Sequence, residues 1–146
     1  MTTIKAGSQA GTPVNEAHSV MPELKFIDYD ELLKRTEGDT DLMVSIIDIY
    51  LKHTPLVISK MRELCSGQNW STLATEAHSF KSAPVYFGLE LPRNNAIKIE
   101  ELAKQEGDVS HIINLIEEIA LDAIQTTREL DLLREFLSAK TDQSSD

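Results

Sequence analysis

In the stretch "AHSFKSAPVYFG" (Ala77–Gly88), a histidine, His78, precedes a lysine, Lys81, by three residues and a serine, Ser82, by four. A neutral imidazole, with an ordinary pKa near ~6.5, presents a nucleophilic nitrogen at physiological pH. An ammonium one helical turn away neutralises an incoming anion, and a hydroxyl at i+4 can donate to one of its oxygens. The anion that suits this set is a phosphoryl group. Its in-line transfer asks for positioning and charge neutralisation more than for local covalent machinery. The spacing His-x-x-Lys by itself is short and weakly specific.

The surrounding residues say which way the histidine points. Leu73, Ala77, Phe80, Pro84 and Phe87 are spaced four, three, four and three apart, so on a helix they form one apolar side. At about 100° per residue, His78 falls roughly 140° from the centre of that side, beside Lys81 and Ser82. It is predicted to face water. The other histidines have blander settings: His18 lies in a polar lead segment, and His53 adjoins Pro55 and is expected at the surface. Asp108 and His111 have the Glu-x-x-His type of spacing that builds metal sites in helical bundles, but a single pair at a helix start reads as a cap. Cys65, the one cysteine, cannot form an internal disulfide and is read as an inert packed thiol.

These side chains need helices to hold them. Between the ends of the chain, apolar residues recur at helical spacing, and no alternating β-branched run is bounded by turn residues. The fold class is therefore all-α. A short helix is predicted over "DYDELLKRT", stopped by Gly38, and Asp39 caps a long helix through "DLMVSIIDIYLKHTPLVISKMREL" that Pro55 should kink or divide. A second long helix runs from about Ser71 to Phe87, ended by Gly88, and a third starts near Pro92 and ends at "QEGD". The fourth covers Val109 to about Leu137, with Ile112, Leu115, Ile116, Ile119, Ala123, Ile124, Leu130, Leu133 and Leu137 as its stripe. Short connections favour antiparallel neighbours, so the expected architecture is an antiparallel four-helix bundle with a short additional N-terminal helix. Residues 1–21 read as a flexible arm, 22–138 as the bundle domain and 139–146 as a flexible tail.

The segment "GQNWSTLATEAHSFKSAPVYFG" resembles the active-site helix of histidine-containing phosphotransfer (HPt) domains, with Trp70, Leu73, Ala77, His78, Phe80, Lys81 and Gly88 at the corresponding places. The resemblance extends upstream to "IDYDELLKRTEGDTDLM" and downstream to "IEELAKQEGD", about residues 26–108. It implies a protein that takes a phosphoryl group from a receiver-domain aspartyl phosphate and passes it to another receiver. In that role His78 is the phosphorylated nucleophile, Lys81 stabilises the phosphate and Ser82 is a contact residue. Glu100 falls where the family often has a Glu or Gln that holds the other imidazole nitrogen; a solvated acid on the third helix is the competing reading. The partners implied are receiver domains and a hybrid sensor histidine kinase, with Mg²⁺ on the receiver and no cofactor of the chain's own. Ser82 stands where the family has a glycine, and it either crowds the phosphoryl group or hydrogen-bonds it. Asn69 in place of an aspartate touches only a helix cap, and Pro84 and Pro92 are unusual, each expected to reshape the helix end or the turn after it.

Bulk properties remove other classes. Fourteen basic against 24 acidic residues give a net charge of −10, which repels nucleic acid and anionic lipid. No apolar run approaches the roughly 20 residues that cross a bilayer, and no leader pattern opens the chain, so a cytoplasmic monomer is expected. There is no P-loop or glycine-rich phosphate loop, which argues against a kinase. The remaining rival is an adaptor bundle that binds receivers without turning over phosphate.

Overall fold

The structure, a computed structural model, describes residues 20–144; the arm expected over 1–21 and His18 with it lie almost wholly outside the described residues. Five α-helices follow: α1 (Tyr29–Thr36), α2 (Thr40–Ser66), α3 (Trp70–Phe80), α4 (Glu90–Lys104) and α5 (Val109–Ser144), with a 3₁₀ segment, Ala83–Phe87, between α3 and α4. No strand occurs among the described residues.

The helix starts follow their caps. The side chain of Asp28 accepts from the Glu31 N–H at 3.1 Å to open α1, and that of Asp39 accepts from the Leu42 N–H at 3.1 Å to open α2. Between them Gly38 takes φ +75°, a left-handed value that costs glycine little. α2 continues through Pro55 as one helix; the proline removes a single donor and lies on the exposed side.

α2 packs on α5 and on α3, and α4 packs on both α3 and α5. Met43, Ile47, Tyr50, Thr54, Ile58, Met61 and Cys65 form the buried side of α2. Each large apolar side chain taken fully out of water contributes about 1.5–3 kcal/mol, so this shared interior, not helix propensity, holds the elements together. α2 is also the one described helix long and apolar enough by composition to cross a bilayer, with an 18-residue window at mean hydropathy 1.3, contrary to the sequence expectation. Its buried positions repeat at helical spacing on the side that packs on α3 and α5, and 28% of that window is buried.

Three boundaries and one burial assignment differ from expectation. α3 ends at Phe80 and not at Phe87: Pro84 has no N–H for the Phe80 carbonyl, and the chain tightens into the 3₁₀ segment before Gly88, at φ +67°, donates to the Val85 carbonyl. The apolar side survives this change, because Tyr50 stacks on Phe80 at 6.3 Å and meets Phe87 edge-on at 5.0 Å. α4 begins at Glu90, so Pro92 is the third helical residue rather than the first. α5 runs on to Ser144 instead of stopping near Leu137. Finally, Ile124 is exposed. The buried stripe passes it through Ala123, Thr126 and Leu130, and buried Thr126 satisfies its hydroxyl on the Asp122 carbonyl at 3.1 Å.

The lead segment is tied down at two points. Glu129 of α5 is buried and accepts three backbone N–H groups, from Lys25, Phe26 and Ile27, at 2.6, 2.9 and 3.0 Å. The next N–H, of Asp28, donates to the Phe87 carbonyl at 2.9 Å.

Candidate functional site

His78 sits in the last turn of α3, with its neighbours Leu73, Ala74, Ala77 and Phe80 buried beneath it. That burial fixes the helix rotation and leaves the His78 side chain 61% exposed. Exposure does not single it out, since His53 and His111 are exposed as well. Its partner does. Nδ1 of His78 lies 3.0 Å from Oε2 of Glu100, which projects from the facing helix α4. Glu100 is nearly buried, its side chain 11% exposed.

Two ammonium groups share that carboxylate. Lys104, one turn along α4, reaches Oε2 at 3.0 Å, and Lys81, the residue that ends α3, reaches Oε1 at 3.5 Å. The Lys104 hydrogen bond is the largest influence holding Glu100 below the usual carboxylate range; burial opposes it, and the His78 contact adds to the lowering. Glu100 is thus ionised near neutral pH. An ionised carboxylate only accepts, so Nδ1 of a neutral His78 carries the hydrogen and Nε2 keeps the free lone pair. Among the described residues, Nε2 has no hydrogen-bond partner.

Clefts flank α3 on both sides. Between α3 and α4 an open cleft of about 550 Å³ is lined by Trp70, Ala74, His78, Glu100, Lys104 and Glu106 among others. Between α3 and α2 lies a largely apolar groove of about 330 Å³ that includes Ile46, Ile49, His53, Val57, Ser79 and Tyr86. Ile49 and the neighbouring Leu56 are exposed large apolar residues of α2.

The structure therefore brings His78, Lys81 and Glu100 together and leaves Ser82 apart from them. Ser82 lies past the end of α3, at φ −86° and ψ −24°, and its hydroxyl donates to the Ser79 carbonyl at 3.3 Å. It is not inside a helix, because Pro84 has already ended α3. Asn69 makes no side-chain cap bond. Asp108 does act as a cap: its carboxylate accepts from the Ser110 N–H at 2.9 Å. Cys65 is buried with its thiol 3.7 Å from the Val109 carbonyl, and burial pushes its pKa up, which keeps it a thiol.

A family model for the Hpt domain matches residues 45–138, which contain His78, Lys81, Ser82, Glu100 and Lys104. The chain belongs to the Hpt domain family. Hpt domains are phosphoryl-carrying modules of two-component phosphorelays, not kinases, and they interact with receiver domains and kinases. Comparison of the chain with curated proteins and with solved structures gave no match.

Within this Hpt domain, Lys104 is the residue that sequence reasoning missed. The signal was available: Glu100 and Lys104 form an i,i+4 pair in the favourable acid-before-base order. What hid it was the ordinary look of such a pair on any solvated helix.

Proposed function

We propose that this Hpt domain accepts a phosphoryl group on His78 from the aspartyl phosphate of one receiver domain and relays it to another, working as a monomeric cytoplasmic carrier built on an antiparallel four-helix bundle. The observation that carries the reading is the Glu100 carboxylate on Nδ1 of an exposed His78. It leaves Nε2 as the nucleophile. As the Nε2–P bond forms, the bond from phosphorus to the aspartyl oxygen breaks, and that oxygen leaves with the electron pair as a free carboxylate. The product ring carries a hydrogen on Nδ1 and a phosphoryl group on Nε2, so it is formally cationic. Glu100 then faces a positive ring, an arrangement stronger than a neutral hydrogen bond. Lys81 neutralises the phosphoryl oxygens. The Mg²⁺ and the acidic pocket that such a transfer uses belong to the receiver.

The apolar groove between α2 and α3 supports docking of a receiver beside His78. It offers Ile49, Val57 and Tyr86 for an apolar contact one helix face away from the histidine. Docking there would exclude water from the transferring group, which strengthens the Lys81 contact.

The test is incubation with a phosphorylated receiver domain, followed by assay for acid-labile, base-stable phosphate on the chain. His78→Gln is expected to abolish labelling while helical circular dichroism is unchanged. Labelling that persists in this variant, or that maps to His53 or His111, refutes the assignment. Tight receiver binding with no label would identify an adaptor instead.

A further inference from the structure

We infer that Lys104 is a positioning residue: it holds the Glu100 carboxylate on the Nδ1 side of His78 and offsets its charge, so that Nε2 stays available for attack. This deepens the reading of His78 as phosphoryl acceptor and rests on it.

A nearly buried carboxylate facing an imidazole has two opposed effects. It fixes the productive tautomer, and it favours the imidazolium, in which Nε2 is protonated and cannot attack. The site needs the first effect without the second. Lys104 and His78 Nδ1 both lie 3.0 Å from the same oxygen, Oε2, so the ammonium competes directly with the imidazole for its negative charge. The charged groups around His78 are Lys81 at the end of α3, Glu100 and Lys104 from α4, and Glu106, which lines the same cleft just past α4. Two cations stand against two acids, and removing Lys104 leaves the acids in excess.

The two lysines differ in a way that divides their work. Lys81 touches the other oxygen, Oε1, at the longer distance of 3.5 Å. It can turn to an incoming phosphoryl group at little cost. Lys104 stays on Oε2, and Glu100 does not become an unpaired, nearly buried charge when Lys81 moves away. Lys104 itself is 64% exposed, which screens its influence and sets the scale of the effect.

The experiment follows the His78 ring by NMR as a function of pH in the unphosphorylated chain, comparing wild type, Lys104→Met and Lys104→Arg. Lys104→Met is expected to raise the His78 titration midpoint by about half a pH unit, and Lys104→Arg to leave it within a tenth or two. The pH profile of phosphoryl uptake from a phosphorylated receiver should move to higher pH by the same amount in Lys104→Met, whereas a general loss of helix stability would lower the rate at every pH. An unchanged His78 midpoint in Lys104→Met, or equal shifts in the Met and Arg variants, overturns the inference. A wild-type chain that takes up no phosphate at all defeats the carrier reading, and with it the role given to Lys104 in transfer, while the titration decides separately whether Lys104 offsets Glu100.

Discussion

Nδ1 of His78 and Oε2 of Glu100 are 3.0 Å apart although the two residues are 22 positions apart and on different helices. The contact joins α3 to α4 at the place where chemistry is expected, so its two components, hydrogen bonding and charge, are worth separating.

Glu100→Gln retains an oxygen that accepts from Nδ1 and removes the charge. Phosphoryl uptake should then stay within about threefold of wild type. Glu100→Ala removes both and leaves the ring free to change tautomer. A partly exposed charge-assisted bond of about 1–1.5 kcal/mol corresponds to a loss of roughly five- to tenfold. Single-turnover transfer from a phosphorylated receiver measures both variants; equal rates for the two would mean that Glu100 does not orient the imidazole.

Lys81→Ala is expected to slow transfer roughly tenfold and to shorten the lifetime of the phosphorylated form, because an exposed dianion loses its nearest cation. Ser82 should matter less. Its single proton is already donated to the Ser79 carbonyl, so Ser82→Ala is expected to transfer within about twofold of wild type. Ser82→Gly should cost less than the ~1 kcal/mol of a helix-interior glycine, since Ser82 lies beyond α3. A tenfold loss in Ser82→Ala would show that the hydroxyl leaves Ser79 to meet the phosphate.

Asp122 of α5 offers a test of stability against pH. One of its carboxylate oxygens is shielded from solvent without a hydrogen-bond partner, and burial raises its pKa. Its charge also adds to the burial that raises the pKa of Tyr50. With the folded-state pKa above the unfolded one, the folded chain holds the proton more tightly. The stabilising contribution is full below the unfolded value near 3.8 and is lost as pH rises through the folded value. At neutral pH Asp122→Asn should therefore stabilise by about 0.5–1 kcal/mol, a figure reduced for the water that reaches the rest of the half-buried residue. Urea unfolding at pH 4 and pH 7 reads the difference, and a variant no more stable than wild type at pH 7 would show that the carboxylate is better solvated than its surroundings suggest.

Much of the fold was legible because it follows local rules. Asp39 as a cap, Gly38 as a stop and the four-and-three spacing of Leu73, Ala77 and Phe80 each act within one or two turns. The outward direction of His78 came from the same spacing. The errors arose where a residue type permits two outcomes. A proline can end a helix, sit in its first turn or lie within it: Pro84 reshapes the helix end as expected but already at Phe80, Pro92 takes the third position of α4 and not the first, and Pro55 lies inside α2 without dividing it. Ile124 was placed in the stripe by hydrophobicity alone, although Thr126 holds the buried position. The Glu100 contact was reachable through family resemblance and not through spacing, because no periodicity within α3 or α4 fixes which of their side chains meet across the gap.

The anchorage of the lead segment separates two units that are easily confused, the stretch of sequence shared with a family and the stretch that folds. The family match begins at residue 45, inside α2, yet Ile27, Leu32 and Met43 are interior residues. A chain trimmed to the matched boundary would open holes where those three side chains sat and strip Glu129 of its three backbone donors. It would also cut the Asp28 link to Phe87, the ring that braces the exit from the histidine helix. For this protein, the smallest fragment worth expressing is set by where the interior closes, some twenty residues before the matched boundary.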